Sequence, residues 1–420
     1  MSFQRYPKYK DSGTPWLSHV PEHWEIVQFK QLVEVQNGVD HKHVEQADGY
    51  PVFGSGGPFT YASDFLYDGE SVLLGRKGTI DKPLHVIGRF WTVDTMYWTK
   101  ICPGTYGRFA FYAALVIPFD FYSTNTALPS MTKSVLSSHL LARPPLAEQI
   151  HIAAFLDRET EKIDELVAEQ QRLIELLKEK RQAVISHAVT KGLNPAVRMK
   201  PSGIEWLGDV PAHWAVKRLR HISPEITVGI VVEPSKYYTD EGVPALRSLN
   251  IRPGAMKLEN LVFISESANE LHKKSQLRAG DLVAVRSGQP GTTAIVPKEL
   301  DGCNCIDLII VRKPAIDSEK FLCWYLASDA AVMQFSVGSD GAIQQHFNVG
   351  TAMNLVVSMP TPAEQEQIVD FIDREASKLD SLVAEAQHAI GLLQERRTAL
   401  ISAAVTGQID VRGLAERKAA

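Results

Sequence analysis

Cysteine is scarce and scattered. Cys102, Cys303, Cys305 and Cys323 are the whole complement. They form no C-x-x-C pair and no histidines cluster near them, so neither a zinc site nor a disulfide framework is expected. Long hydrophobic runs are missing too. No window approaches a membrane span, and the amino-terminal MSFQRYPKYKDSG has no apolar signal core, so no membrane partner is expected and the cytoplasm is the default compartment. Positive charge is not in excess: 44 Lys+Arg stand against 49 Asp+Glu, for a net charge of -5. That balance speaks against a nucleic-acid binder unless basic groups gather locally. Catalytic signatures are also missing. The glycine loops lack G-x-x-x-x-G-K-[ST] spacing and G-x-G-x-x-G with its acidic partner, and no serine elbow or His-Glu-x-x-His is present. Phe53-Gly54-Ser55-Gly56 approaches a methyl-donor loop, but Arg143-Pro144-Pro145-Leu146 lacks the aromatic residue that would accompany one. No catalytic, cofactor-binding or metal-ligating residue is therefore assigned.

What the chain has is duplication. Residues 147–190 return at 363–406 without a gap, with about 26 of about 44 positions identical. Each copy reads as one long helix. Leu156, Ile163, Leu166, Leu173, Leu177 and Val184 fall on three- and four-residue steps, as do Ile372, Leu379, Leu382, Ala386, Ala389, Leu393 and Leu400. That is an apolar seam for a partner helix. Pro144-Pro145 precedes the first copy, Thr361-Pro362-Ala363-Glu364 opens the second as a capping box, and Gly192 and Gly407 sit at the expected stops. About 40 helical residues span roughly 60 Å, too long for a helix with an apolar seam to stand alone. Duplication within one chain favours an antiparallel pairing of the twins over a dimer between chains. A second repeat opens each half: residues 11–32 match 201–222, pairing Trp16 with Trp206, Val20-Pro21 with Val210-Pro211, and His23-Trp24 with His213-Trp214. Histidines beside a tryptophan and a turn proline are read as structural.

Between the repeats lie two unlike blocks, 33–143 and 223–359, each reading as a compact α/β domain. In the first, Pro51–Gly57 is expected as a turn-rich loop and Ser71–Leu74 as a strand entering Gly75-Arg76-Lys77-Gly78-Thr79. Phe90–Trp98 is expected as a strand and 106–117 as a helix. In the second, the expected elements are a strand Asp281–Val285 entering Arg286-Ser287-Gly288-Gln289-Pro290-Gly291, a strand Cys305–Val311 and a helix over 319–335. Strand, arginine-bearing glycine loop, strand is common to both, which hints at kinship. These loops place cationic forks and amides beside exposed backbone N–H groups, the chemistry that grips phosphates and base edges. The candidate DNA-binding residues are Ser55, Arg76, Lys77, Thr79, Ser130, Lys133, Arg247, Asn250, Lys273, Lys274, Arg286, Ser287, Gln289, Gln344 and Gln345.

The ordered set of motifs resembles the specificity subunit of type I DNA restriction-modification systems over essentially the full length. The resemblance is carried by the paired W-L-x-x-V-P-x-H-W entries (Trp16–Trp24, Trp206–Trp214) and the paired helix starts (Leu146–Gln149, Pro362–Gln365). Val189-Thr190-Lys191-Gly192-Leu193-Asn194-Pro195 and Val405-Thr406-Gly407-Gln408-Ile409-Asp410 add to it. It implies a mixed α/β fold: two globular target-recognition domains joined by two long antiparallel coiled-coil helices, a pseudo-two-fold tandem repeat. The expected divisions are 1–143 (first recognition domain with its entry motif), 144–194 (first spacer helix), 195–359 (second domain), 360–410 (second helix) and 411–420 (tail). It further implies that each domain reads one half of a bipartite, asymmetric site in double-stranded DNA, and that the helices set the separation and dock two methyltransferase subunits. S-adenosylmethionine, ATP and Mg would belong to the methyltransferase and the motor-nuclease subunits, not to this non-catalytic chain. Three alternatives stay open: a coiled-coil scaffold without DNA reading, an enzyme in its own right, and a specificity subunit serving a methyltransferase alone. Charge departs from the pattern: about nine basic residues face ten acidic ones in the first block, and about twelve face fifteen in the second. Either the cations are gathered on one face or the partner subunits supply much of the phosphate contact.

Overall fold

The computed structural model describes residues 3–122, 130–287, 291–337 and 348–414. The two repeated segments are continuous helices, Leu146–Lys191 and Pro362–Val405. Contacts divide the chain into two compact units, residues 1–171 with 388–420 and residues 172–387, so the division falls inside both helices rather than at their ends.

In the first unit, a seven-stranded sheet runs in the order Val33–Asn37, Met96–Ile101, Tyr67–Gly75, Leu84–Thr92, Tyr50–Gly54, Gly57–Ala62, Glu45–Gln46. Every neighbouring pair is antiparallel except Leu84–Thr92 with Tyr50–Gly54. The second half of the strand Tyr67–Gly75 is buried on both faces by simple alternation. Val72 and Leu74 face the helix Gly107–Ala114 and the core around Trp24, while Leu73 joins Val52, Phe90 and Trp98 on the other side. The long-helix residues Ile152, Phe155, Leu156, Leu400, Ile401 and Val405 complete the first of these cores.

The second unit repeats that plan with shorter strands. Ile226–Val228, Leu308–Val311, Leu282–Val285 and Thr293–Ile295 form one antiparallel sheet in that order. Tyr238–Thr239, Val262–Ile264, Val243–Leu246 and Asn304–Cys305 form another, whose last pair is parallel. The strand order matches the first unit, with the long strand Leu84–Thr92 replaced by two short ones, Thr293–Ile295 and Asn304–Cys305. The match extends to single hydrogen bonds. Gly38 N–H donates to Met96 O, Val39 to Thr92 O and Val93 to Phe53 O; Gly229 donates to Leu308 O, Ile230 to Cys305 O and Ile306 to Leu246 O. Both glycines are required by the crossing. A Cβ on Gly38 would lie 2.0 Å from Val93 O, and one on Gly229 2.4 Å from Cys305 O. The kinship suggested by the shared order of strand and arginine loop is therefore a shared topology.

Within each unit the two long helices run antiparallel. Asp164 pairs with Arg397 at 3.2 Å in the first, and Arg181 with Asp380 at 2.9 Å in the second. The seam follows the expected one in part. Leu156, Ile163, Ile372, Leu379, Ala386 and Leu400 are buried as expected, whereas Leu166, Leu173 and Leu382 are exposed and Ile174 is buried. Leu166-Val167 and Leu173-Ile174 each offer two adjacent apolar residues, and the helix turns the second of each pair further inward.

Four local expectations are corrected. Phe90–Trp98 is two strands broken at Val93-Asp94-Thr95, with Asp a common turn residue. Pro51–Gly57 is the hairpin of Tyr50–Gly54 and Gly57–Ala62 rather than a loop. Cys305–Val311 is interrupted at Ile306-Asp307, where Asp307 takes φ +51. The helix over 319–335 is two, Glu319–Leu326 and Asp329–Val337, because the buried Ser328 turns its hydroxyl back to Tyr325 O at 2.6 Å.

Candidate nucleic-acid interface

Both repeats serve one joint. Glu148, at the start of the first long helix, accepts hydrogen bonds from Trp24 Nε1 (3.0 Å) and the Tyr6 hydroxyl (3.2 Å), and pairs with His23 Nε2 (2.7 Å). Glu364, at the start of the second, accepts from Trp214 Nε1 (3.3 Å) and pairs with His213 (2.9 Å). The capping box appears on the same residue: Glu364 N–H donates to Thr361 Oγ1, while its carboxylate accepts from Thr361 N–H. Burial works to raise the Glu364 carboxyl, but the hydrogen bonds from His213 and Trp214 prevail and hold it below the usual carboxylate range. Burial beside Glu148 pushes the Tyr6 hydroxyl far up. Gly407, at φ +73, closes the second helix 3.1 Å short of Trp24, and Gly192, at φ +78, closes the first 3.2 Å short of Trp214, measured from an added Cβ. Each entry tryptophan thus sits where one long helix begins and the other ends. Next in line, Gln149 and Gln365 each accept from a backbone N–H, Tyr106 and Ser318 respectively, just before the short helices Gly107–Ala114 and Glu319–Leu326.

On this frame, strand register sets the arginine loops. Gly75 lies opposite Met96 in the first unit and Val285 opposite Leu308 in the second, so the next residues, Arg76 and Arg286, hold the same position on the same strand of the shared topology. Arg76 Nη1 donates to Asp94 O at 3.3 Å, and its guanidinium lies 6.0 Å from the Tyr97 ring. Arg286 Nη1 donates to Asp307 Oδ1 at 2.8 Å. Each therefore reaches the short connection that interrupts the neighbouring strands, Val93-Asp94-Thr95 or Ile306-Asp307.

Other candidates gather round the first loop. Lys77 bridges Ser130 as a β-pair, the Ser55 hydroxyl lies 3.8 Å from where a Gly78 Cβ would be, and Thr79 O sits against Gly75. Lys133 opens the helix Lys133–Ser138, capped by Thr132. In the second unit Arg247 follows Leu246, whose carbonyl holds Ile306, and donates to Asn260 O at 2.9 Å; Ser287 follows Arg286 directly. Lys273 and Lys274 are exposed but lie away from this group. Lys274 O accepts from Arg312, at the end of strand Leu308–Val311 opposite Leu308. Asn250 is corrected to a frame residue. It is fully buried, accepts from Arg247 N–H and donates to Lys257 O and Glu259 O. Gln289, Gln344 and Gln345 lie outside the described residues.

Sequence reasoning missed Asp94 and Asp307. Nothing but strand register marks them, since each is a single aspartate in a short connection. It also missed the buried Arg312–Asp281 pair (2.6 Å), in which Arg312 additionally donates to Gln276 O and Lys274 O. Among the described residues no group of three His, Cys, Asp or Glu side chains could hold a metal ion, and no helix is long and apolar enough to cross a membrane.

Residues 21–176 match the family model of the type I restriction modification DNA specificity domain. The type I restriction enzyme EcoBI specificity subunit of Escherichia coli is 23% identical over 95% of this chain and 89% of its own. The MjaVIII specificity subunit of Methanocaldococcus jannaschii is 22% identical over 94% and 95%. Among solved structures, a chain from a study of complex assembly and conformational transition of the type I R-M system superposes with a TM-score of 0.70 at 15% identity, covering 92% of this chain and 98% of that one. The HsdS subunit from Thermoanaerobacter tengcongensis gives 0.50 at 14% identity, over 93% and 98%. These structural likenesses speak to the fold alone, and the family model and the near full-length relatives to descent. Residues 21–176 thus carry a type I restriction modification DNA specificity domain, and the chain is similar over nearly its full length to type I restriction enzyme specificity subunits.

Proposed function

We propose that this chain is the sequence-specific DNA-recognition subunit of a cytoplasmic type I restriction-modification complex. Residues 33–143 and 223–359 each read one half of a split, asymmetric site in double-stranded DNA. The long helices set the half-site separation and dock two methyltransferase subunits. The chain itself is non-catalytic. S-adenosylmethionine belongs to the methyltransferase partners, and ATP and Mg to motor-nuclease subunits. The observation that carries the reading is that two domains of one topology, on a duplicated frame, present unlike polar loops from the same strand position. Two readers of different half-sites need that combination: equal framing and different side chains. A bare helical scaffold leaves the paired arginine loops without a role.

The DNA-contacting set on this reading is Ser55, Arg76, Lys77, Thr79, Ser130 and Lys133 in the first domain, with Arg247, Arg286 and Ser287 in the second. The test is a methylome. The chain is expressed with the methyltransferase encoded beside it in a host lacking adenine methylation, and modified bases are sequenced. The expected result is a split motif that vanishes when this chain is omitted and changes in one half only when residues 33–143 are exchanged for those of a relative. Methylation by an active partner that does not depend on this chain overturns the reading.

A further inference from the structure

Arg76 and Arg286 are the first residues past equivalent strand ends in two domains whose loops otherwise differ. Each is held by the same connection, but by different atoms: a main-chain carbonyl holds Arg76 and a carboxylate holds Arg286. Resting on the DNA-recognition reading above, we infer that these are paired base-reading arginines, one per half-site, and that Asp307 is the positioning residue for Arg286.

Arginine reads guanine by a two-pronged contact to O6 and N7, which needs one edge of the guanidinium free and its plane set. A guanidinium carries five N–H donors; Arg286 Nε is buried, so with Nη1 held to Asp307 the donors left for the base are those of Nη2 and the second N–H of Nη1. Asp307 is well placed to set that plane. Its Oδ1 lies 2.8 Å from Arg286 Nη1. The backbone on which it stands is tied to the sheet: Ile306 N–H donates to Leu246 O, Asp307 N–H to Ile230 O, and Ile230 N–H to Cys305 O. The backbone that carries the carboxylate is therefore fixed by the strand end at Leu246 and by the bridge between Ile230 and Ile306. Arg286 and Asp307 both remain partly open to solvent, with side chains 29% and 45% exposed. An arginine already held in one orientation gives up less rotamer freedom on meeting DNA.

The difference between the two domains supplies the control. The carbonyl that holds Arg76 survives any side-chain change at Asp94, whereas the carboxylate that holds Arg286 does not survive at Asp307. The left-handed φ of +51 at Asp307 also dictates the variants, because glycine and asparagine both tolerate it.

The full chain is co-expressed with its methyltransferase and the methylated motif is sequenced for each variant, with thermal melting as the check on folding. Arg286→Ala is expected to relax one base position in one half-site, with discrimination there falling roughly tenfold. Asp307→Gly should relax that same position, Asp307→Asn should restore part of the discrimination by keeping an acceptor, and Asp94→Ala should leave both halves unchanged. Arg76→Ala should relax one position in the other half. An unchanged motif in a folded Asp307→Gly variant overturns the positioning role. Loss in both halves, or in neither, from Arg286→Ala overturns the pairing. Failure of the DNA-recognition reading itself would show earlier and separately, as the absence of any chain-dependent split motif in the wild type.

Discussion

Glu148 and Glu364 occupy one position in the duplicated frame, yet they do different amounts of structural work. Glu148 is 9% exposed and serves an indole N–H on fully buried Trp24 and a hydroxyl on nearly buried Tyr6. Replacing it with alanine strands both donors away from water, at about 1–3 kcal/mol for each unpaired group. Glu364 keeps a third of its side chain in solvent, where water replaces part of what is lost. Its removal costs one indole partner and the capping box, the latter about 1 kcal/mol. Glu148→Ala is therefore expected to lose about 2–6 kcal/mol and Glu364→Ala about half of that, read as shifts in urea midpoint of the full chain. Equal shifts would mean that burial does not distinguish the two joints. The same two glutamates explain why tryptophan and histidine recur in the entry motif. They are the donors that the helix start requires, which the sequence displays as two separate repeats and the structure joins.

At the scale of single elements, His139 ties the end of the helix Lys133–Ser138 to the entry motif. It stacks on Trp16 with centroids 5.1 Å apart, and its Nδ1 lies 2.8 Å from the Tyr122 hydroxyl. Burial pushes its imidazole down to about 4. A histidine that folds neutral contributes its full stability above about pH 6.5 and loses it progressively as pH falls towards 4, where the unfolded chain takes up a proton that the folded one refuses. The loss amounts to at most about 3 kcal/mol. His139→Phe keeps the stack but has no proton to bind, so subtracting its stability profile from that of the wild type should give a slope confined to pH 4–6.5. Parallel profiles across that window would contradict the burial. Elements of this size were also the hardest to delimit from sequence. The long helices announced themselves through seam, caps and repeat, and the arginine loops through glycine. Breaks at Asp94, Asp307 and Ser328 did not, because each hangs on one residue whose turn is decided by a hydrogen bond to a distant strand or a preceding carbonyl. Asn250 misled for the same reason: an amide beside an arginine looks like a base reader until its burial and the three backbone groups it bonds are seen.

For the whole molecule, the proposal that the helices act as a ruler dictates where an insertion should go. The carboxyl end of the first long helix is a poor place. Ile185, Ala188 and Val189 are buried in a core with Trp214, and Gly192 caps against the same ring. Extra residues after Thr190 would break that dock before lengthening anything. Gln171, Arg172, Gln387 and His388 are all exposed and lie where the contacts of the two units divide. Insertion there leaves Glu148, Gly407, Glu364 and Gly192 in their joints. Seven residues are preferable to four, because a heptad returns the seam to phase whereas four residues rotate it by about 40°. Both helices must be extended together, since each antiparallel pair keeps its register only if its partner grows equally. Seven helical residues add about 10 Å, close to three base-pair steps of about 3.4 Å. The expected methylome is one with both half-sites unchanged and about three more unread base pairs between them. Intact half-sites at the original spacing, in a folded and active variant, would show that the distance is set by something other than these helices.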